Sequence, residues 1–370
     1  MRAGQWTGVF AGTSSGEVIL ELDEVDGELL GSVTLYPNDL MHPTPFAWVR
    51  IPKNVVAIDK QMPILAMNWT SGEPTQFSLV AEHYPGIAMS NVADTKWRLS
   101  SDTLYVSWTT PLGNFGLAVL SQGEPKATSK LKTLNVTTWS EFKDYASSLS
   151  SNKFIFRGQS NNQWKLRTYF HRTNRSDLRR FLTQDVNELH RQLSGLTNHF
   201  FDLTNPIQNG AFYAMVQHHG YPTPLLDWTF SPFVAAYFAY RPLPKKERTD
   251  EHKVRIVIFD AAEWRKDFVQ FSHFTPAKRH FSLFAPIAIN NNRLSPQQAL
   301  LTISNVDDIE AYVAELEQMR SKSYLYAIDL AGSERFRVMQ ELSMMGITAG
   351  SMFPGLDGAC EHLREQRFEF

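Results

Sequence analysis

Three groupings in this sequence have residue types suited to chemistry. The first is an arginine on a hydrophobic run, Phe154-Ile155-Phe156-Arg157-Gly158-Gln159. The second, some sixty residues on, is His218-His219-Gly220-Tyr221-Pro222-Thr223-Pro224-Leu225-Leu226-Asp227-Trp228-Thr229-Phe230-Ser231-Pro232. The third is a late glutamine pair in Asn292-Arg293-Leu294-Ser295-Pro296-Gln297-Gln298-Ala299. A guanidinium offers a fork of donors that matches phosphate. A glutamine amide can hydrogen-bond a ribose hydroxyl but brings no charge. Metal-ligand spacing such as His-Glu-x-x-His, a Gly-x-Ser-x-Gly elbow, a P-loop and a Gly-x-Gly-x-x-Gly fingerprint are all missing from the sequence. The common hydrolase, kinase and dehydrogenase readings therefore lose their support.

These groups need elements to hold them. Strand ends place side chains rigidly while leaving them open to solvent. Phe154-Ile155-Phe156 reads as a buried strand, and a capping box from Thr138 to Glu141 opens a helix before it. Asn205-Pro206 starts the helix that precedes the second grouping, and Gly220 stops it. Ile207, Ala211, Ala214, Met215 and His218 share one face of that helix, which assigns His218 to the core and lets His219 emerge beside the Gly220 turn as a site residue. After a strand over 224–228, Ser231-Pro232 repeats the cap arrangement and opens a buried, alanine-rich helix. Capping is a sufficient role for Ser231, so any function there is additional. Further on, 254–259 reads as a strand, a helix runs from Ser333 through Met345 to a stop at Gly346, and Asp357-Gly358 is turn chemistry.

The first 125 residues read differently. Short strands alternate with turns over 5–120, which predicts an all-β barrel or sandwich, either filled by its own side chains or holding a ligand. Residues 121–130 have linker composition, dividing the chain into an all-β domain over 1–125 and a mixed α+β domain over 135–370. The charges are asymmetric: 1–121 holds 6 Lys/Arg against 12 Asp/Glu, whereas 153–195 holds 9 against 3. We therefore expect the two parts to face different partners: a protein partner or trigger for the acidic domain, and phosphate groups for the basic stretch. The single Cys360 suits a reducing cytoplasm and a small core position. With no apolar run of about 18 residues and no apolar stretch at the N-terminus, the expectation is a cytoplasmic protein without membrane contact.

The ordered motifs from Phe156-Arg157-Gly158 through His218–Pro232, the 292–299 segment, Met345-Gly346-Ile347 and Phe353-Pro354-Gly355-Leu356-Asp357-Gly358 resemble the FRG-domain family over roughly 135–365. That family more usually has Gln-Gln-Gly where Gln297-Gln298-Ala299 stands, and aspartate at position 355. The order also resembles the Arg-Ser-Glu class of the ADP-ribosyltransferase superfamily. This second resemblance implies a sheet core that binds NAD as substrate without a metal. In it Arg157 holds the dinucleotide, Thr229 and Ser231 shape the nicotinamide pocket, and Gln298 stands where a glutamate is expected. Gly158, Gln159, His219, Gly220, Asp227 and Trp228 complete the implied dinucleotide site. A carboxylate to replace the missing glutamate would come from Asp227, Glu310 or Glu341, unless Asp227 pairs with Arg157 as a buried ion pair. The implied function is a bacterial toxin or defence effector that modifies a protein or nucleic-acid acceptor. The rival is a non-catalytic module binding a nucleotide or phosphorylated partner. A nuclease is the remaining reading, handicapped by the missing carboxylate cluster.

Overall fold

The computed structural model of the chain describes residues 1–271, 278–289 and 291–369. Its first strands are β1 (Gly4–Gly12), β2 (Gly16–Val25), β3 (Glu28–Pro37), β4 (Pro45–Pro52), β5 (Ala57–Pro63), β6 (Leu65–Met67), β7 (Pro74–Thr75), β8 (Val92–Ser100), β9 (Thr103–Thr109) and β10 (Phe115–Gln122). They form one antiparallel sheet in the order β5-β8-β9-β10-β1-β2-β3-β4-β6-β7. β1 pairs with both β2 and β10, so the first and last of these strands lie side by side as the sheet curls. It curls until β5 reaches β4, where Lys60 Nζ donates to the Arg50 carbonyl at 2.9 Å. The two-residue period of a strand fills this barrel. On β8, Ala93, Thr95 and Trp97 point inward while Asp94, Lys96 and Arg98 face out.

A second antiparallel sheet follows, from β11 (Phe154–Gln159), β12 (Leu225–Thr229), β13 (Lys253–Asp260), β14 (Phe281–Phe284), β15 (Ala299–Ser304) and β16 (Leu325–Ala331), in the order β14-β15-β12-β11-β13-β16. Five helices matter for its core: α1 (Trp139–Ser148), α2 (Pro206–His218), α3 (Pro232–Tyr240), α4 (Ile309–Arg320) and α5 (Arg335–Met344). The capping signals operate as read. Thr138 and Glu141 make a reciprocal box, Asn205 accepts from the Ile207 and Gln208 amides, and Ser231 accepts from the Val234 amide. Helices α1, α3 and α5 cover one face of the sheet through Trp139, Val234, Tyr237 and Leu342 against Ile256, Ile258 and Ile328. On the other face, Ile155, Trp228, Val257 and Phe259 pack with Trp264 and with Ile309 of α4. Two details differ from expectation. Ile207 is 57% exposed, because it sits in the first turn of α2 before the helix reaches the core, and Cys360 is exposed as well.

The charge asymmetry is also resolved differently: its two halves meet each other. Asp23, at the end of β2 and buried, accepts from the amides of Ser176 (2.7 Å) and Asp177 (3.2 Å) and from Arg175 Nε (3.1 Å). Arg179 reaches Glu73 at 2.9 Å and the Gly72 carbonyl at 3.0 Å, with its guanidinium over the Phe46 ring. Gln5 bridges to the Asn305 carbonyl and the Asp307 amide. Arginines of the basic stretch thus neutralise carboxylates of the acidic barrel, the buried Asp23 and the exposed Glu73, and polar groups in the joint find partners, as burial requires.

Two carboxyls in this joint are strained electrostatically. Burial, with Asp177 and Asp23 nearby, raises the Glu21 pKa well above the usual carboxylate range. Burial also pushes Asp177 up to about 6. A carboxyl whose pKa is raised by folding binds more protons folded than unfolded, so its contribution weakens the protein as pH rises from its unfolded pKa through its folded one. Asp177→Asn keeps an oxygen for the Arg180 amide that Asp177 now caps at 3.0 Å. Relative to wild type, this variant is expected to be unchanged near pH 4 and more stable by up to about 3 kcal/mol near pH 7. Denaturant titrations at the two pH values measure this, and an identical difference at both would show that Asp177 does not titrate in the joint.

Candidate functional site

Strands β11 and β12 touch at a single register, Phe156 opposite Thr229. Beyond it the ladder stops. In place of the next strand-to-strand bonds, Arg157 Nη1 donates to the Asp227 carbonyl at 2.7 Å. The strands part at Arg157, and the gap opens into a cavity of about 320 Å³. Its walls come from β11 (Phe156, Arg157, Gly158), from β12 (Asp227, Trp228, Thr229), from the last turn of α2 (Gln217, His218), from α3 (Ala235, Phe238) and from Arg293, Gln297 and Phe353.

Gly158 sets how closely one wall stands. A Cβ at this position would lie 2.0 Å from the Ala235 carbonyl oxygen and 2.6 Å from the Ala239 amide. Only glycine lets α3 lie on the β11 backbone, which places Ala235 and Phe238 at the cavity. Thr229 and Ser231 fix the start of the same helix. The Thr229 hydroxyl accepts from the Ser231 amide at 3.0 Å, and Ser231 caps α3.

Arg157 gives the cavity its charge. Its side chain is 17% exposed, its Nε is buried with no partner among the described residues, and burial lowers its pKa from the usual arginine value. The Asp227 carboxylate is 3.9 Å from Nη1 and half exposed, so the two do not form a buried ion pair. Gln217 Nε2 holds that carboxylate at 2.6 Å, and Thr223 in turn donates to Gln217 Oε1. Arg293 brings a second cation, tethered to the His218 carbonyl at 2.9 Å and lying over the Phe353 ring. Burial lowers the His218 pKa, and its Nδ1 is buried without a partner among the described residues. Two guanidiniums against one carboxylate favour an anion, and a planar fork with an orphaned donor favours phosphate or carboxylate oxygens.

Of the residues singled out in the sequence, Arg157, Gly158, Asp227, Trp228 and Thr229 line this cavity together. Trp228 contributes its backbone side, since its indole is buried against Thr302 Oγ1. Gln159, His219, Gly220, Ser231 and Gln298 do not line it. His219 is exposed at the end of α2, and Gly220 follows with a left-handed φ of 88°. Gln298 has a φ of 46° and an exposed side chain, while its neighbour Gln297 turns inward and donates to the Met352 carbonyl at 3.0 Å. Glu310 and Glu341 are engaged elsewhere, the first by Ser129 and the Leu166 amide, the second by Trp139, Lys143 and Arg337. Asp227 is the carboxylate at the cavity among the three considered. Sequence reading passed over Arg293 and Gln217. Arg293 was visible inside the 292–299 segment, whereas Gln217 has no sequence signal beyond its place on α2.

Residues 152–248 match the family model described as the FRG domain. This chain carries an FRG domain. The matched segment includes Arg157, Gly158, the last turn of α2, β12 and α3, and hence most of the cavity wall. Arg293, Gln297 and Phe353 complete the wall from outside it. No curated protein matches the chain. Among solved structures, the chain is similar to a redesigned beta barrel, at 12% identity and a TM-score of 0.22, covering 33% of this chain and 91% of that one.

Gly158 of the FRG motif is testable as a packing residue. Gly158→Ala forces α3 off the strand backbone and is expected to destabilise the protein by about 3 kcal/mol, the upper end for overpacking a close contact. Thermal melting reads this directly, and an unchanged midpoint would mean that the helix yields without cost.

Proposed function

We propose that the FRG cavity binds NAD and supports cleavage of its bond to nicotinamide, as an ADP-ribosyltransferase-like effector acting in toxin or defence roles. The observation that carries this reading is Arg157: a mostly buried guanidinium with an orphaned Nε at the bottom of a cavity, facing a half-exposed carboxylate. In this reading, Arg157 and Arg293 hold phosphate oxygens, and Phe238 and Phe353, packed edge-to-face against each other, give the base an apolar wall. Asp227 stands in for the glutamate expected at Gln298. As the C1′–N bond breaks, its electron pair leaves with nicotinamide and positive charge grows on the ribose. A fixed carboxylate stabilises that charge more in the transition state than in the ground state. Water or an acceptor hydroxyl then adds at C1′ and gives up its proton.

One observation favours a second reading. Gln298 is exposed and outside the cavity, so the position where the superfamily places its glutamate contributes nothing to this site. In that case the same arginines bind a nucleotide or phosphorylated partner, and the protein is a sensor without turnover.

The full chain is the right test object, because ion pairs with one buried partner each join the barrel to the basic segment. Calorimetry with NAD is expected to show binding that weakens at least tenfold in Arg157→Ala and in Arg293→Ala, with cooperative melting preserved. Nicotinamide release, assayed with and without cell extract as acceptor, is expected to fall at least tenfold in Asp227→Asn while NAD affinity changes less than threefold. Binding of NAD without release under either condition would select the sensor reading, and absence of NAD binding would remove both the cofactor and the transferase proposal.

A further inference from the structure

The barrel contains a second cavity, of about 360 Å³, away from the FRG site. One end of the barrel is filled. Trp6, Leu22, Leu29 and Leu104 are all buried there, within a single apolar cluster, with Trp97 between them and the open space. The other end has small residues at inward positions. Ala47, Ala93 and Ala118 are 7%, 3% and 2% exposed, yet each lines open space. A strand interior with a free choice of side chain fills with branched or aromatic residues, so three alanines facing one void leave room that the sequence did not use for packing.

The chemistry of the wall limits what enters. Val18, Leu20, Val33, Met62, Val106 and Trp108 make it apolar, and no lysine, arginine, aspartate or glutamate lines the cavity. The polar side chains present are largely committed. Thr95 donates to the Lys60 carbonyl and accepts from the Trp97 indole, Thr13 accepts from the Phe115 amide, and Ser90 donates to the Val92 carbonyl. The mouth is ringed by turn residues, including Ser14, His42, Gly86 and Asn114. Water inside would find few partners, and a small molecule with a full charge would lose its hydration without gaining a counter-charge. The volume falls within the range of small-molecule pockets.

We infer that the barrel is a binding site for a neutral, mainly apolar small molecule, which enters through the turns near His42 and Asn114 and packs against Ala93, Ala118 and Trp108. The ligand class follows from the wall: a hydrocarbon or aromatic body with at most a hydroxyl-sized polar end at the mouth. This site is independent of NAD binding in the FRG cavity.

The experiment uses the full chain and the neutral fluorophore N-phenyl-1-naphthylamine. Its emission is expected to rise and saturate at one site per chain, with energy transfer from Trp97 and Trp108. Displacement by 1-decanol is expected at concentrations at least tenfold below those needed with decanoate at neutral pH. Ala118→Leu and Ala93→Leu fill the void from β10 and β8, the two strands that flank β9, and each is expected to weaken binding at least tenfold while cooperative melting is kept or raised. Saturable binding that survives both fillings, or preference for decanoate, would overturn the inference, as would the lack of saturable binding by either neutral compound. If a filled variant fails to melt cooperatively, energy transfer and the decanol-to-decanoate ratio in the wild type decide the question.

Discussion

Helix α3 lies directly on the backbone of β11, and the candidate site is organised around that contact. The helix starts at Ser231, held by the Thr229 hydroxyl, and reaches the strand at Gly158, where any side chain would collide with the Ala235 carbonyl. One residue back, Arg157 keeps its pairing to β13 but, on the β12 side, takes the Asp227 carbonyl with its side chain where the ladder has stopped. Moving the helix outward would carry Ala235 and Phe238 away from the arginine and change the cavity's depth. The Phe-Arg-Gly sequence thus combines three physical jobs in consecutive residues: a core anchor, a charge at the opening, and the absence of a side chain where the helix must pass.

Backbone signals in the sequence translated well into structure, because they depend on local chemistry. The three helix starts, at Thr138, Asn205-Pro206 and Ser231-Pro232, form the hydrogen bonds that their residue types imply. Strand alternation over the first 120 residues gave the barrel, although its closure through β4 and β5 has no local signature. Choices between adjacent residues were not legible. Helix periodicity assigned His218 to the core, yet α2 ends there, and its final turn opens onto the cavity. Gln298 was preferred over Gln297, but a left-handed backbone at Gln298 reverses which of the two faces inward. Such outcomes are set by turns whose hydrogen-bond partners are distant in sequence.

Net charge is ambiguous for a related reason. An acidic first third and a basic segment after residue 153 look like surfaces for two outside partners. In the fold, Arg175 and Arg179 are spent on Asp23 and Glu73, and Lys165 and Arg167 on Asp308 and Asp307. Complementary charge within one chain has the same composition as two binding surfaces, and only the tertiary arrangement separates them. Arg157 and Arg293 differ from these others in lining the cavity between β11 and β12.

The mostly sequential neighbour order of the barrel also affects how the chain acquires its structure. Apart from the β1–β10 and β5–β8 pairings, each barrel strand finds its partner within a short connection, and every barrel strand has been synthesised once Gln122 is reached. The second sheet is different: β12 pairs with β15 across some seventy residues, and β13 with β16 across a similar distance. It must wait for nearly the whole chain. Domains fold from the N-terminus during synthesis, so the barrel presents Asp23 and Glu73 as a ready template when Arg175 and Arg179 emerge. The slower half of the protein then assembles on a surface that already fixes the segment between β11 and α2.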